Sequence, residues 1–294
     1  MSTALTDPAL VDAVIIPHYN DPPRLERCLR ALMENDIANT EIVVVDNASP
    51  VSLDRVRRAF PDVRFITETK KGAAHARNRG VAETTAQRLF FIDADCVPAS
   101  DWLTIGREIA NLADLIGGRV DVFDETPPPR SGAEAFEAVF AFNFRRYIEV
   151  QGFSGAGNLL TRRDVFDAIG GFINGVSEDQ EWTMRAVSCG YSLIYEDRLR
   201  VSHPSRRDWP ALKAKWRRTT QEAYQLNGGG LAARLRWVLR GLAMPASAVV
   251  HTPKVMSSDK LASTGEVVRA ISTLFRLRCQ RMVWMLRQAA GGTI

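Results

Sequence analysis

The sequence has little cysteine. Cys28, Cys96, Cys189 and Cys279 are scattered, with none of the close spacings that hold a metal. A reduced, cytoplasmic protein is therefore expected. Long apolar runs are also missing. The best candidate, "WVLRGLAMPASAVV", is interrupted by Arg240 and Pro245 and falls short of the ~18 uncharged residues of a spanning helix. The first residues, "MSTALTDPALVDA", carry acids and no unbroken apolar stretch, so no secretory signal is expected. There is no internal repeat. Acid is scarce in the last third: residues 200–294 hold 17 Lys+Arg against 4 Asp+Glu, whereas residues 1–199 hold 21 against 30. That surplus points the C-terminal third at something anionic, such as a membrane surface, a diphosphate or a nucleic acid.

What is present is an alternation. The apolar runs in "VDAVIIPHYN" (11–20), "TEIVVVDNASP" (40–50), "VRFIT" (63–67) and "RLFFIDADC" (88–96) predict buried strands. Between them, "DPPRLERCLRALMEN", "SLDRVRRAF" and "KKGAAHARNRGVAETTA" predict helices, the first with Leu25, Cys28, Leu29 and Leu32 at helical spacing. Alternating strands and helices make an α/β fold with a mostly parallel sheet, and unbroken apolar strands suit burial on both faces. Beyond residue 117, "GGRVDVF" and "SLIYEDRLRVSH" predict further strands. "AEAFEAVFAFNFRRYIEV" and "SEDQEWTMRAVSCGY" predict one helix each, and "GFSGAGNLLTRRDVFDAIGGF" a Gly-rich loop followed by a helix. Helices are also expected after Asp208 and over 231–250 and 264–290.

Open parallel sheets bind ligands beyond the carboxyl ends of their strands. "PHYN", "DNAS" and "DADC" sit at three such ends. Asn and Asp are common turn residues, but Asp93 and Asp95 with only Ala94 between them would repel without a compensating charge. Paired hard oxygens suit Mg²⁺ or Mn²⁺ shared with substrate phosphates.

"VIIPHYN", "EIVVVDNAS", "KGAAHARNRG", "LFFIDADC", "GAGNLLTRRDVFDAIGGF" and "SEDQEWTMR" occur in an order that resembles the family 2 glycosyltransferases, over roughly residues 11–205. The resemblance implies a glycosyltransferase A fold and an inverting, metal-dependent transfer of a sugar from a nucleotide diphosphate, with a UDP sugar the expected donor. The domains implied are a catalytic domain over 1–205 and a basic helical extension over 206–294. Within the catalytic domain, 11–100 would hold the nucleotide and 101–205 the acceptor. The nucleotide would be held by Pro17, Tyr19, Asn20, Asp46, Arg77, Asn78 and Asp93. Asp95 and His203 would hold Mn²⁺ or Mg²⁺, Asp179 would be the general base, and Glu178 its acidic neighbour. A lone His is as often structural, acids at a helix start are favoured by the dipole alone, and Arg206 and Arg207 fit either the diphosphate or the surface.

The implied role is building a cell-surface polysaccharide on a glycan or polyprenyl-diphosphate-linked acceptor. Processive synthases carry a Q-x-x-R-W motif, which this chain lacks, so single additions are expected. Residues 264–288 set Val268, Ile271, Phe275, Met282 and Leu286 on one helical face among arginines. That face is expected to pack on the protein, with binding to an anionic membrane at the inner face of the cell as the sharper alternative. Two other readings stand beside the transferase. A sugar nucleotidyltransferase would show a Gly-rich basic loop where "PHYN" stands. A nucleic-acid binder would use the tail but leave the strand-end acids without purpose, so no nucleic acid is expected.

Overall fold

The computed structural model describes residues 11–294. The chain runs β1 (Asp12–His18), α1 (Pro22–Leu32), β2 (Thr40–Asp46), α2 (Asp54–Ala59), β3 (Arg64–Thr67), α3 (Ala73–Ala82), β4 (Arg88–Ile92), β5 (Val97–Pro98), α4 (Trp102–Ile109) and β6 (Leu115–Phe123). It continues through α5 (Gly132–Phe140), α6 (Phe144–Gln151), β7 (Asn158–Arg162), α7 (Arg163–Ile169), α8 (Glu178–Ser188), β8 (Leu193–Pro204), α9 (Trp209–Gln225), α10 (Leu231–Met256) and α11 (Thr264–Ala289). Two compact units result. One is formed by residues up to Asp121 with Asn143–His203, the other by Val122–Phe142 with Pro204–Ile294.

The strands lie in the order β3-β2-β1-β4-β7-β6-β8-β5. The first four pair in parallel, which explains their apolar sequences: Val14 to Ile16, Val43 to Val45 and Leu89 to Ile92 are all fully buried. β7 then runs antiparallel between β4 and β6. Register sets His18 beside Asp46 and Asp46 beside Thr67, so the first three strands end on one edge. Ile92, the last residue of β4, lies opposite Asn158.

Helix α1 follows its expected pattern. Asp21 caps it by accepting from the Arg24 N–H at 3.3 Å, Pro22 opens it, and Leu25, Cys28, Leu29 and Leu32 are its buried face. Two expectations fail. The stretch 133–150 is two helices, because Phe142 takes a left-handed conformation (φ 46°) and Asn143 caps a fresh start by accepting from the Arg146 N–H. "NLLTR" (158–162) is a strand that glycine-rich flanks concealed.

The core of the first unit joins Leu89 and Phe91 to Phe166, Phe172 and Trp182. Trp182 is fully buried, its ring centroid lies 5.1 Å from that of Phe172, and its indole N–H donates to the Gly170 carbonyl at 2.7 Å. It thereby fixes the turn that precedes α8.

The second unit packs α5, α9, α10 and α11 around Phe136, Leu212, Ala248, Leu274 and Leu277. Its buried Glu137 accepts from the Arg206 backbone N–H, the Arg206 guanidinium and Lys215 Nζ (3.0 Å). Burial pushes the Lys215 amine down to about 8, although Glu137 opposes the shift. Arg206, offered by the sequence as a diphosphate or surface charge, is committed to this carboxylate.

Replacing Trp182 by Ala opens a cavity and orphans the Gly170 carbonyl. The expected loss is about 3–5 kcal/mol, read by chemical denaturation.

Candidate active site

The edge where β1, β2 and β4 end gathers most of the polar residues singled out in the sequence. The β1 and β2 turns are locked together first. His18, 2% exposed, accepts from the Asp21 N–H through Nε2 (3.0 Å), so Nδ1 carries the proton and donates to Asp46 Oδ1 at 2.8 Å. The Ser49 hydroxyl and backbone N–H also donate to Asp46, and the Asn20 N–H donates to Ser49 Oγ at 2.7 Å. Three of the roughly four acceptor positions of the Asp46 carboxylate are thus used internally. Asn47 pins the next loop: its amide donates to the carbonyls of Glu68 and Lys70 and accepts from the Gly72 N–H. Pro17 is half-buried, while Tyr19 (56% exposed) and Asn20 face outward.

A second layer comes from α3, β4 and α8. Arg77 is 5% exposed and forks between two acids far apart in sequence. Nη2 donates to Asp93 Oδ1 at 2.6 Å and Nη1 to Glu178 Oε1 at 2.9 Å. Its guanidinium carbon lies 5.8 Å from the Phe172 ring centroid, and its buried Nε has no hydrogen-bond partner among the described residues. Burial disfavours the Arg77 charge, but Asp93, Glu178 and Asp179 together outweigh it and raise its pKa. Asn78, next along the helix, spends its amide on the backbone of Phe172, donating to the carbonyl and accepting from the N–H at 2.8 Å each. It stands in this region as a staple for the 171–172 turn.

Asp179 lies in the first turn of α8. Its Oδ1 accepts from the Gln180 N–H (2.8 Å) and the Ser177 hydroxyl (3.2 Å), which orients the carboxylate. Its Oδ2 accepts no hydrogen bond among the described residues and lies over Gly155, where an added Cβ would sit 3.3 Å from it. Burial raises the Asp179 pKa, repulsion from Glu178 raises it further, and Arg77 and the Gln180 N–H pull the other way. Asp93 repels it too, so the acids of "DADC" and "SEDQE" share one electrostatic neighbourhood. Gly157 lets the backbone come close, since a Cβ there would meet Asp93 Oδ2 at 2.8 Å. Glu181 turns away to pair with Arg185.

Asp95 meets His203: Oδ2 and Nε2 are 3.2 Å apart, joining the end of β4 to the end of β8. Among the described residues no group of three or more His, Cys, Asp or Glu stands ready to hold a metal ion. A carboxylate oxygen and an imidazole nitrogen on one spot do fit a cation that takes its remaining ligands from water and phosphate. Sequence reasoning passed over His18, Ser49 and Ser177. The only signal for His18 was a polar residue closing an apolar strand, and its partner is visible only in the sheet register.

Residues 13–170 match the family model described as "Glycosyl transferase family 2". Glycosyltransferase AglE of Haloferax volcanii is 30% identical over 216 residues, covering 70% of this chain and 70% of that protein. A pre-mycofactocin glycosyltransferase of Mycobacterium tuberculosis is 27% identical over 215 residues, covering 68% of this chain and 45% of that longer protein. Among solved structures, the mannosyltransferase PcManGT from Pyrobaculum calidifontis, in complex with GDP-Man and Mn²⁺, aligns with a TM-score of 0.56 at 20% identity. That alignment covers 98% of this chain and 77% of the other. S. aureus TarS 1–349 in complex with UDP-GlcNAc gives a TM-score of 0.56 at 13% identity, over 96% and 92% of the two chains. These likenesses give the architecture as a glycosyltransferase A fold.

The Arg77 fork makes a direct prediction. Arg77→Gln leaves Asp93, Glu178 and Asp179 without their shared cation. The expected cost at about pH 7 is about 2–4 kcal/mol, somewhat below that of a fully buried pair because Asp93 and Glu178 keep some exposure. Burial raises the Asp179 pKa, so its protonation relieves the repulsion and the deficit should shrink as pH falls from about 7 towards about 4. Denaturant titrations of both proteins at the two pH values measure it.

Proposed function

Because the chain belongs to glycosyl transferase family 2, we propose that it moves a sugar from a nucleotide diphosphate to an acceptor hydroxyl with inversion, using Asp179 as general base. The observation that carries this reading is the state of Asp179. One oxygen is held by two donors, the other lies over a glycine and accepts no hydrogen bond among the described residues, and the carboxyl pKa is raised. A carboxylate so arranged is oriented, accessible at one atom and more basic than an ordinary Asp.

The proposed course follows from these parts. The donor lies along the β1–β2–β4 edge, in the half formed by residues 11–100, with the acceptor against residues 101–205. Tyr19 and Asn20 offer exposed contacts to the nucleoside, while Asp46 has one acceptor position left for a base N–H such as the uracil imide. Asp93, oriented by Arg77, takes a ribose hydroxyl. Glu178, tied to Arg77, keeps its charge close to Asp179 and supports that residue's basicity. Asp179 Oδ2 accepts the acceptor's hydroxyl proton as the oxygen attacks the anomeric carbon. The bond to the diphosphate breaks on the opposite face, and the proton leaves Asp179 to solvent once the product departs. The transition state resembles the oxocarbenium ion of glycoside hydrolysis. Asp95 and His203 would hold a divalent cation, Mn²⁺ or Mg²⁺, which when bound supplies positive charge against the leaving diphosphate.

The proposed donor is a UDP sugar. The proposed acceptor is a glycan or a lipid-linked sugar of a surface polysaccharide. The metal-bound donor complex of PcManGT and the UDP-GlcNAc complex of TarS support a nucleotide-sugar partner in general.

A donor screen tests the assignment. UDP with Mn²⁺ should raise the melting temperature more than GDP or dTDP, and Asp95→Ala or EDTA should remove the metal-dependent part. Equal shifts with EDTA present would count against the metal, and a larger shift with GDP would count against uracil.

Activity tests the base. Asp179→Asn should lower kcat by about 10²–10⁴ while sparing donor binding. The base works only when ionised, and its pKa lies above the ordinary 3.8. The acid limb of the wild-type rate profile should therefore stand above that value and vanish in Asp179→Asn. A limb unchanged in the variant would assign the base elsewhere.

A further inference from the structure

Helix α10 is apolar on two sides. Its inner side, with Ala233, Trp237, Met244, Ala248 and Val255, is buried. Its outer side carries Leu231 (75% exposed), Leu235, Leu239, Leu242, Val249 and Met256, each more than half exposed. Their spacings of 4, 4, 3, 7 and 7 residues keep them in one stripe along the helix. Of the 17 large hydrophobic residues exposed among the described residues, this one helix holds seven. Such a concentration differs from the scattered exposed apolar residues that every surface shows.

The charge around the stripe has one sign. α10 contains Arg234, Arg236, Arg240 and Lys254 and no Asp or Glu. None of these four cations forms an ion pair among the described residues; Arg240 lies over the Trp237 ring and Lys254 over the Phe140 ring. The helix of 26 residues extends about 39 Å at 1.5 Å per residue. No helix among the described residues is long and apolar enough to cross a membrane.

The sequence offered the face of α11 around Val268 and Phe275 for a membrane only as the alternative to packing on the protein. In the structure Ile271 and Phe275 pack against the core of the second unit, and Met282 packs beside Trp237 and Met285. Of that set only Val268 is largely exposed.

We propose that the outer face of α10 is a docking surface for an anionic phospholipid bilayer, the helix lying in the plane of the interface. The leucines and valine would enter the acyl boundary, and the flanking arginines and Lys254 would meet phosphate headgroups. Charge complementarity selects this occupant over a second copy of the chain. Two α10 faces set together, in either direction, would bring cations against cations with no acid on either helix. The proposal deepens the lipid-linked reading of the acceptor and rests on that reading only for its purpose.

The test is co-sedimentation of the full chain with vesicles of phosphatidylcholine alone or mixed equally with phosphatidylglycerol, at about 0.15 M salt. The chain should pellet with the anionic vesicles, less with neutral ones, and less again as salt rises. Leu239→Glu with Leu242→Glu should lower the partition coefficient at least about tenfold, from the lost burial of two leucines. Val268→Glu with Val283→Glu on α11 should leave it within about twofold, as single exposed residues do little. Unchanged melting of each variant excludes unfolding. No pelleting of the wild type, or equal pelleting of the α10 variant, would overturn the proposal. So would a dimer by light scattering that the α10 substitutions return to monomer. Hydrolysis of a nucleotide sugar in solution is read in parallel. A chain that pellets without hydrolysing any donor keeps the docking surface and sinks only the transferase assignment.

Discussion

One buried guanidinium holds the acidic site together. Asp93, Glu178 and Asp179 come from two segments that meet only in the fold, and three carboxylates so placed repel one another. Arg77 reaches them from α3, where its bidentate fork can bind two acids at once. Burial makes that charge costly, and the acids offset the cost. Each side is therefore stable only in the presence of the other. The helix α3, the strand end of β4 and the first turn of α8 are positioned by a single ionic junction.

The rest of the site is built to keep that junction still. Trp182 and Asn78 clamp the turn around Gly170 to Phe172 that leads into α8. His18, Ser49 and Asn47 join the first two strand ends to the loop before α3. Two close-lying glycines then bring backbone up to Asp93 and Asp179 without side chains in the way. On the outward edge the second oxygen of Asp179 accepts no hydrogen bond among the described residues, Tyr19 is exposed, and Asp95 meets His203. With most donors already committed, the shape and charge of this edge are set by the fold itself.

The second unit distributes its charge differently. Glu137 is shared by Arg206 and Lys215, and Glu266 accepts from Arg130 and from the backbone of Ala262. With so few acids, most of the basic residues of this unit form no ion pair among the described residues, including Arg234, Arg236, Arg240 and Lys254 of α10. An exposed apolar stripe is unfavourable in water while the cations beside it are well hydrated, and the proposed docking of α10 rests on the two occurring together.

How much of this was legible depends on the range of the interaction. Local periodicity and turn chemistry marked the parallel strands, α1 with its Asp21 cap and the start of α9 at Asp208, because neighbouring residues decide those features. Ordered short motifs marked the family, since acids at strand ends and a Gly-rich segment keep their sequence positions. The break at Phe142 and the strand at Asn158–Arg162 were hidden, as each depends on what packs opposite. The sequence by itself determined which residue types arrive at the sheet edge and that the last third is basic. Only the tertiary structure decided that Arg77 spans residues 93 and 178, that Asn78 and Arg206 are spent on internal bonds, and that α10 rather than α11 bares its apolar side. Contacts across a hundred residues are chosen by packing of whole elements, and that choice leaves no trace in local spacing.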